Sequence, residues 1–391
     1  MNILIILPRF PYPLEKGDKL RAYNIIKALS HNNEISLFAL SHSKVQQSSL
    51  IEMQQWCKQI RVAHLSPFAS ILRAIRNLLC VKSMQIGYWD SPKALKSCRQ
   101  FEAQTNPDII FCQMIRTMKY AAQSSRPKVL DFQDALSLNF LRRMNQAKGL
   151  RYFLLHYEFK MLRAAEYDTT NIFNATTIIS HVDADAIPRS SNTVINILPN
   201  GVDTDYFIPT ICEKEYDIVF CGNMQYKPNI DAATYLVNTI MPLVWKHKNQ
   251  AKVLIAGATP TAAVRQLGGE VVTVTGTVDD IRPCYAKSRL FVAPMRLGSG
   301  MQNKLLEAMS MGVPCVTTPL ASQSLGTQSG RELIVADNAE TLAAAIITLL
   351  DDSTLADTLA HNASNFVKKN YTWNKVSQQL QDILEKTKHN N

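Results

Sequence analysis

Patterns that mark metal sites, disulfide frameworks and membrane spans are scarce in this sequence of 391 residues. The eight cysteines are scattered and none forms a Cys-x-x-Cys pair, so we predict no metal site and interpret them as small apolar side chains in a reducing compartment. No apolar run approaches the ~18 residues that a membrane span requires. The N-terminal run Ile3–Leu7 is too short for a signal peptide and lacks a basic start. We therefore expect a cytoplasmic protein.

Fingerprints of two common protein classes are missing as well. Neither half of the chain places Gly-x-Gly-x-x-Gly after its first strand, and no acidic residue takes the ribose position that would follow, which excludes a dinucleotide-dependent oxidoreductase. No helix-turn-helix, RNP or zinc-finger pattern accompanies the basic residues, so nucleic acid is not an expected partner.

Positive charge is concentrated in the first half of the sequence. Residues 1–200 contain 25 Lys and Arg against 14 Asp and Glu, a net charge of +11, whereas residues 201–391 contain 17 against 18, a net charge of −1. Such asymmetry favours an anionic partner for the first half. An anionic membrane surface is one candidate, and a solvated basic surface without a partner is the alternative.

Short apolar runs alternate with helical stretches along the whole chain. The runs predicted as strands are Ile3–Leu7, Ile35–Ala39, Gln59–Val62, Ile109–Cys112, Val129–Phe132, Thr176–Ser180, Asp217–Cys221, Lys252–Ala256, Val271–Thr275, Leu290–Ala293, Pro314–Thr318 and Leu333–Val335. The clearest predicted helices are 19–30, 147–171, 230–247, 301–311, 339–350 and 354–370. Continuous apolar strands separated by helices predict parallel sheets that are covered on both faces.

The predicted fold class is α/β, with two Rossmann-like domains in tandem. Pro199-Asn200-Gly201 punctuates the chain between them, which predicts one domain over residues 1–199 and a second over residues 200–371.

The most informative motif is a glycine loop and helix at 294–312, with the sequence PMRLGSGMQNKLLEAMSMG. Gly298 and Gly300 flank Ser299 and allow a tight turn close to a ligand, and the helix that follows offers unpaired N–H groups suited to a phosphate. Lys304 lies in the first helical turn, where its charge opposes the helix dipole unless an anion is bound there. Glu307, three residues later on the same face, can accept bonds from sugar hydroxyls. The pattern favours a nucleotide-sugar site, and an ordinary surface Lys–Glu pair is the alternative.

Further motifs occur in order along nearly the whole chain. They are Pro11-Tyr12-Pro13 with 16–21 (KGDKLR), 131–137 (DFQDALS), 199–203 (PNGVD) with Phe207, 222–224 (GNM) with 228–232 (PNIDA), 276–280 (GTVDD) and 371–373 (YTW). Together with the glycine loop they resemble the GT-B glycosyltransferases, family 4 in particular and its exopolysaccharide-type branch. The resemblance implies two Rossmann-like domains facing each other across a cleft, with a last helix, 372–386, packing back on the first domain.

The resemblance also implies the chemistry. A sugar moves from a nucleotide-diphospho-sugar on the second domain to a polysaccharide, glycolipid or other glycan acceptor on the first, with retention of configuration and without a metal or other cofactor. Breaking the glycosyl–phosphate bond leaves negative charge on the β-phosphate, which the protein must stabilise. The candidates for this role are Arg296, Lys304 and the backbone around Gly298–Gly300. The other donor-binding candidates are Gly222, Lys227, Val278 for the base, Ser299, Asn303, and Glu307 for the ribose.

Three residues of the first half are candidates on the acceptor side. Gly17 lets the first βα loop approach the diphosphate. Arg21 contacts an anionic acceptor, with a surface helix arginine as the alternative. Asp134 faces the transferred sugar, and its alternative is the N-cap of a helix over 135–143.

One departure from the family pattern keeps other functions open. The family commonly carries two glutamates eight positions apart, and the first falls on Ser299, so loop N–H groups or the serine hydroxyl would replace that carboxylate. A degenerate nucleotide-sugar-binding protein and a sugar-nucleotide 2-epimerase of the same architecture are the alternatives to a glycosyltransferase.

An amphipathic stretch at 70–79 bears on membrane contact. Ile71, Leu72, Ile75, Leu78 and Leu79 share one helical stripe, and two arginines lie beside it. A core-facing helix is one explanation. The other is that the first domain rests on the inner face of an anionic membrane as a peripheral protein.

Overall fold

The computed structural model describes residues 1–145, 147–298 and 301–389. The chain divides into two units. The first consists of Met1–Pro199 together with the C-terminal segment that starts at Trp373, and the second is Asn200–Thr372.

The described residues of the first unit form a parallel seven-stranded sheet of order β3-β2-β1-β4-β5-β6-β7. Its strands are β1 (Asn2–Leu7), β2 (Glu34–Ser41), β3 (Gln59–His64), β4 (Ile109–Gln113), β5 (Lys128–Asp131), β6 (Ala175–Ile178) and β7 (Ile195–Ile197). Its helices include α1 (Gly17–Leu29), α2 (Gln47–Gln54), α3 (Pro67–Leu79), α4 (Met84–Trp89), α5 (Pro92–Thr105), α6 (Met118–Ala121), α7 (Leu136–Met144), α8 (Leu150–Ile172) and α9 (His181–Ala186), with a 3₁₀ turn at Ile115–Thr117.

Strand β1 shows why this sheet is buried on both faces. Successive side chains of a strand point to opposite faces. Leu4 and Ile6 accordingly join one apolar cluster, whereas Ile3, Ile5 and Leu7 join another. Both clusters exclude solvent, so a continuous apolar strand is stable only with helices on each side.

The described residues of the second unit form a parallel six-stranded sheet of order β10-β9-β8-β11-β12-β13. Its strands are β8 (Tyr216–Cys221), β9 (Val253–Ala256), β10 (Val272–Val274), β11 (Ser288–Ala293), β12 (Cys315–Thr317) and β13 (Ile334–Val335). Its helices are α10 (Lys227–Tyr235), which continues through a π-helical turn (Leu236–Ile240) into α11 (Met241–Trp245), and α12 (Ala262–Arg265), α13 (Arg282–Ala286), α14 (Asn303–Ser310), α15 (Pro319–Ser322), α16 (Ala339–Asp351) and α17 (Ser353–Asn370).

The last helix, α18 (Trp373–His389), belongs to the first unit. Trp373, Val376, Leu380 and Leu384 recur every three or four residues and enter the apolar cluster that contains Ile3 and Ile5. An ion pair of 3.1 Å between Lys388 Nζ and Asp108 Oδ1 fixes the far end of the helix on the same unit.

The α/β fold class predicted from the alternating pattern is confirmed, since every predicted strand corresponds to an observed one. Strand β7 was not predicted, because three residues with asparagine in the middle give no apolar run. Among the described helices, none combines the length and the apolar character needed to cross a membrane.

Each sheet has one point where the strand order reverses direction. It lies between β1 and β4 in the first unit and between β8 and β11 in the second. In open parallel sheets, ligands bind outside the carboxyl ends of the strands at this switch point. We therefore expect ligand-binding residues in the loops that follow these four strands.

Candidate functional site

In the second unit, two helix N-termini meet beside the switch point. Helix α10 follows β8 and helix α14 follows β11, and neither first turn is capped by a side chain of its N-cap residue. Gly222 lets α10 begin close to β8, because a Cβ at this position would lie 2.7 Å from Asn229 Nδ2. Gly298 has a φ of +118°, which L side chains rarely adopt, so the loop before α14 requires glycine there. The two N-termini supply the positive ends of two helix dipoles.

Lys304, in the first turn of α14, joins these two helices. Its Nζ donates to Asn229 Oδ1 of α10 at 2.5 Å and lies 4.8 Å from the centroid of the Phe220 ring. Among the described residues, no carboxylate lies within ion-pair distance of this ammonium group. Burial lowers the pKa of Lys304 to about 8, against the opposing effects of Cys221 and Glu307. The site thus holds a half-buried cation that has no ion-pair partner in the described part of the chain.

Glu307 does not form the ordinary surface pair with Lys304 that the sequence left open. Its Oε2 accepts a hydrogen bond of 2.8 Å from the hydroxyl of Tyr285, which is fully buried. Burial raises the pKa of Glu307, while the bond from Tyr285 and the charge of Lys304 lower it. The tyrosine fixes one carboxylate oxygen and leaves the second for other donors.

Arg296 has a partner that sequence reasoning did not foresee. Its guanidinium binds the carboxylate of Asp231 in α10 through two hydrogen bonds, of 2.8 and 3.1 Å, and its Cζ lies 4.0 Å from the centroid of the Tyr235 ring. The predicted role of Arg296 at the β-phosphate stays a prediction, and in this structure its guanidinium is already paired. As observed, the side chain fastens the glycine loop to α10.

The remaining donor-site candidates lie on neighbouring loops of this unit. Lys227 is exposed at the first position of α10, and Asn303 begins α14, where its Oδ1 accepts a hydrogen bond of 3.0 Å from Asn200. Val278 is half-buried in the loop after β10, next to Gly276, whose carbonyl accepts from the N–H of Gly257 after β9. The predicted roles of Ser299 and Gly300 lie outside the described residues.

In the first unit, Arg21 is not a surface residue. Its side chain is 0% exposed and donates to Asp131 Oδ2 at 2.7 Å, to Asp131 Oδ1 at 3.2 Å, and to the carbonyls of Leu198 and Pro199 at 2.8 Å. The alternative of a surface helix arginine is therefore wrong, and the contact of Arg21 with an anionic acceptor stays a prediction. An acceptor could reach this guanidinium only by opening a buried ion pair, so we leave it out of the proposed site.

Asp134 does not cap the helix that follows it. The N-cap of α7 is Ala135, without a side-chain cap bond. The Asp134 carboxylate is half-buried and has no hydrogen-bond or ion-pair partner among the described residues. Burial, followed by the charge of Asp183, raises its pKa to about 7. Gly17 starts α1 at an exposed position, and a Cβ there would meet nothing within 4 Å. Both residues remain candidates on the acceptor side.

Two residues near the carboxyl ends of the strands were not predicted from the sequence. Asn229 of the PNIDA segment holds Lys304 and also donates to the carbonyl of Asn223. Arg116 follows β4 at the first switch point, and burial and the charge of Arg9 lower its pKa to about 10. An amide gives no chemical signal on its own, and a single arginine after a strand does not differ in sequence from any other arginine.

In the described residues, no group of three or more His, Cys, Asp or Glu side chains is arranged to hold a metal ion.

Comparison with known proteins agrees with this architecture. Residues 215–352 match the family described as glycosyl transferases group 1. The uncharacterized 44.6 kDa protein in the cps region of Klebsiella pneumoniae is 21% identical over 96% of this chain and 97% of its own. The phosphatidyl-myo-inositol mannosyltransferase of Mycolicibacterium smegmatis is 26% identical over 48% of this chain and 51% of its own.

Among solved structures, HepE (Alr3699) of Anabaena in complex with UDP superposes with a TM-score of 0.71 at 15% identity, over 99% of this chain and 100% of that one. The same protein in complex with UDP-glucose gives a TM-score of 0.70. The fold is therefore the two-domain GT-B fold, and with the matched domain it makes the chain a glycosyltransferase that transfers a sugar.

Proposed function

We propose that this glycosyltransferase moves a sugar, with retention of anomeric configuration, from a nucleotide-diphospho-sugar on the second unit to a glycan or lipid-linked acceptor on the first. The observation that carries the donor assignment is Lys304, a half-buried ammonium group between two uncapped helix N-termini, for which the described residues supply no ion-pair partner. A diphosphate supplies the missing counter-charge. HepE binds UDP and UDP-glucose, which supports a nucleotide-sugar as the donor.

The donor site acts mainly on the leaving group. As the bond from the anomeric carbon to the phosphate oxygen breaks, negative charge grows on the β-phosphate. We assign the stabilisation of that charge to Lys304, Lys227 and the N–H groups of α14 and α10, the two helices that follow β11 and β8. The free oxygen of Glu307 accepts from the ribose hydroxyls, and the backbone near Val278 contacts the base. Because these groups are in place before the donor arrives, little reorganisation is needed.

Two relatives bear on the acceptor and the pathway. The relative in the cps region of Klebsiella pneumoniae supports a role in polysaccharide biosynthesis, and the inositol-lipid mannosyltransferase supports a lipid-linked acceptor. Asp134 follows β5, and its carboxylate has no hydrogen-bond or ion-pair partner among the residues that the structure describes; we assign it to hydroxyl groups of the transferred sugar.

Incubation with a panel of radiolabelled UDP- and GDP-sugars and membrane glycan extracts tests the reaction. Transfer of label to an acceptor, with the anomeric configuration of the product read by NMR, is the expected result. Epimerised donor, or bound donor without turnover, would contradict it. Asn229→Leu removes the amide that positions Lys304 and should lower the rate of transfer, whereas Asn365→Leu, at an exposed position of α17, is the control.

A membrane surface is proposed as the place of acceptor delivery, because an apolar patch covers part of the first unit. Its members on α3 are Phe68, Ile71, Leu72, Ile75 and Leu79, which are 48–78% exposed, so the core-facing explanation of this stripe is wrong. On α8, Leu150 and Phe153 are 75% and 68% exposed. Exposed apolar side chains grouped in this way are unusual on a soluble surface.

Geometry and charge make the two stripes one surface. The Tyr157 hydroxyl of α8 donates to the carbonyls of Leu78 and Lys82 at 3.2 and 3.1 Å, which joins the start of α8 to the end of α3. Four exposed basic side chains border the patch: Arg76, Lys82, Lys148 and Arg151. No Asp or Glu occurs in residues 67–89 or 135–157. Each of the four attracts anionic lipid by about 1 kcal/mol close to the surface.

Co-sedimentation with vesicles containing phosphatidylserine tests this contact. We expect binding at low salt and its loss with neutral vesicles or at high salt, because the attraction is screened. Ile71→Gln with Ile75→Gln should abolish it, whereas Ile51→Gln, which changes an equally exposed isoleucine of α2, should not. Equal sedimentation of all three proteins would remove the patch from the proposal.

A further inference from the structure

A second concave site lies wholly within the first unit. It is a cavity of about 550 Å³ at the carboxyl ends of β1 and β2. Three segments form its wall: the β1–α1 connection, the β2–α2 connection and the end of α4. This volume suits a sugar-sized ligand.

The wall of this cavity is rich in cations and poor in carboxylates. Arg9, Lys16, Lys19 and Lys44 line it, and against them stands one lining carboxylate, Glu15. Arg9 is paired with Asp18. Within the part of the chain that the structure describes, the ammonium groups of the three lysines have no hydrogen-bond or ion-pair partner.

Behind the aromatic wall lie two half-buried arginines, Arg73 and Arg116, which have no ion-pair partner among the described residues. Tyr88 and Trp89 line the cavity, and the Arg116 guanidinium lies 5.8 Å from the centroid of the Trp89 ring. Arg73 donates to Ser70 Oγ at 2.6 Å and Arg116 to Gln85 Oε1 at 3.2 Å, both neutral acceptors. The Nε atoms of both arginines are buried without a hydrogen-bond partner.

His42 lines the cavity and lies close to the same positive charges. Its ring packs edge-on against Trp89, with centroids 4.8 Å apart, and its Nε2 lies 3.1 Å from Ser70 Oγ. Burial, followed by the charges of Arg73 and Arg9, lowers the pKa of His42. A neutral imidazole here avoids adding another positive charge and offers a hydrogen bond to a hydroxyl group.

We infer that this cavity binds the acceptor through a negatively charged group, a phosphate or a carboxylate, on a sugar whose ring lies against Tyr88 and Trp89. The inference rests on the proposed function and names the acceptor class. An anion accepts charge-assisted hydrogen bonds from lysines that have no partner among the described residues, and compensates the arginines behind the wall. An uncharged acceptor supplies no such compensation.

Titration calorimetry without a donor tests the inference with three probes: glucose, glucose 6-phosphate and glucuronate. At least one anionic probe should bind about tenfold more tightly than glucose, and the tighter one identifies the anion as phosphate or carboxylate. Lys19→Gln with Lys44→Gln should remove most of that preference, and both side chains are accessible enough to be changed without unfolding the protein. Lys96→Gln, at an exposed position of α5, is the control.

Equal affinity for all three probes, or a preference that survives in the double variant, would overturn the inference. A parallel titration with UDP separates this outcome from a failure of the proposed function. Loss of UDP binding with an intact preference for the anionic sugar would refute the donor site and leave the cavity assignment standing. Intact UDP binding without a preference for either anionic sugar would refute the cavity assignment and leave the donor site standing.

Discussion

Replacing Lys304 by methionine tests the donor site most directly. In the folded protein this ammonium group contacts an amide oxygen, an aromatic ring and, at 3.8 Å, the sulfur of Met295. Lys304→Met keeps the length and apolar stem of the side chain and removes the charge. The fold has already desolvated the lysine, so a bound diphosphate gains the interaction without that cost.

The magnitude follows from hydrogen bonds to charged groups, which contribute about 1.5–3 kcal/mol each. Partial burial favours the upper end of this range, because the effective dielectric constant is lower than in water. We therefore expect nucleoside diphosphate to bind roughly 30- to 150-fold more weakly to Lys304→Met. Lys246→Met, at an exposed position after α11, should bind as the parent does.

The pH dependence provides a second, independent readout. A pKa near 8 means that the ammonium group loses its proton above pH 8, whereas the second pKa of a phosphate, near 6, leaves the ligand fully ionised there. Parental affinity should fall by about 20-fold between pH 7.5 and pH 9.5, and that of Lys304→Met should stay nearly constant over the range.

Stability should move in the opposite direction to binding. Since the folded-state pKa lies below 10.5, the charged lysine costs free energy in the folded state; this cost is complete below pH 8 and disappears towards pH 10.5. Lys304→Met should therefore be at least as stable as the parent at pH 7 by thermal denaturation. Binding within threefold of the parent, with the pH dependence retained, would refute the assignment of Lys304 to the diphosphate.

Other side chains should respond in distinct ways. Glu307→Ala leaves the buried Tyr285 hydroxyl with only its long 3.4 Å contact to the carbonyl of Lys304, so it should lower the free energy of unfolding by about 1–3 kcal/mol in urea titrations, whereas Glu307→Gln should not; both should weaken nucleotide binding. Because the pKa of Asp134 is raised to about 7, Asp134→Asn should raise Tm by about 2–4 °C at pH 8 and by less at pH 5, where the folded carboxyl is still protonated. Arg21→Met should cost about 3–5 kcal/mol of unfolding free energy, since it leaves Asp131 charged and buried; adding Asp131→Leu should recover part of it.

A different outcome for each variant would contradict its explanation. Equal stability of Glu307→Ala and Glu307→Gln would mean that Tyr285 does not depend on the carboxylate. A Tm difference for Asp134→Asn that is the same at both pH values would show that its ionisation is not the cause. If Arg21→Met unfolds with the parental midpoint, the buried ion pair contributes nothing measurable.

The architecture was accessible from the sequence because parallel strands buried on both faces leave continuous apolar runs. Runs such as Ile3–Leu7 and Asp217–Cys221 coincide with β1 and β8 almost residue for residue. Short edge elements such as β7 were not accessible, since Ile195–Ile197 is held by its pairing with β6 and not by its own pattern. Local pattern predicts core strands, and tertiary pairing decides the edges.

Surface exposure could not be predicted in the same way. The apolar stripe of α3 has the spacing of a core-facing helix, yet Phe68, Ile75 and Leu79 face solvent. Helical periodicity shows that one face is apolar but not what covers it. Arg21 is the reverse case: its charge suggested a surface position, and only the approach of β5 brings Asp131 to it inside the unit. Both errors arise because burial depends on neighbours that are distant in sequence.

Pairing, more than residue type, separates the cations that hold this fold from those available to a ligand. Arg21 and Arg296 each bind a carboxylate, and a ligand that captured either one would leave Asp131 or Asp231 without its partner. Breaking a buried pair on one side costs about 3–5 kcal/mol, so an anion gains little by competing for Arg21. In the proposed donor complex, Lys304 loses only an amide contact and gains a counter-charge. The glycine-loop motif predicts both Arg296 and Lys304 as phosphate ligands. Sequence spacing alone does not show that Arg296 already binds a carboxylate.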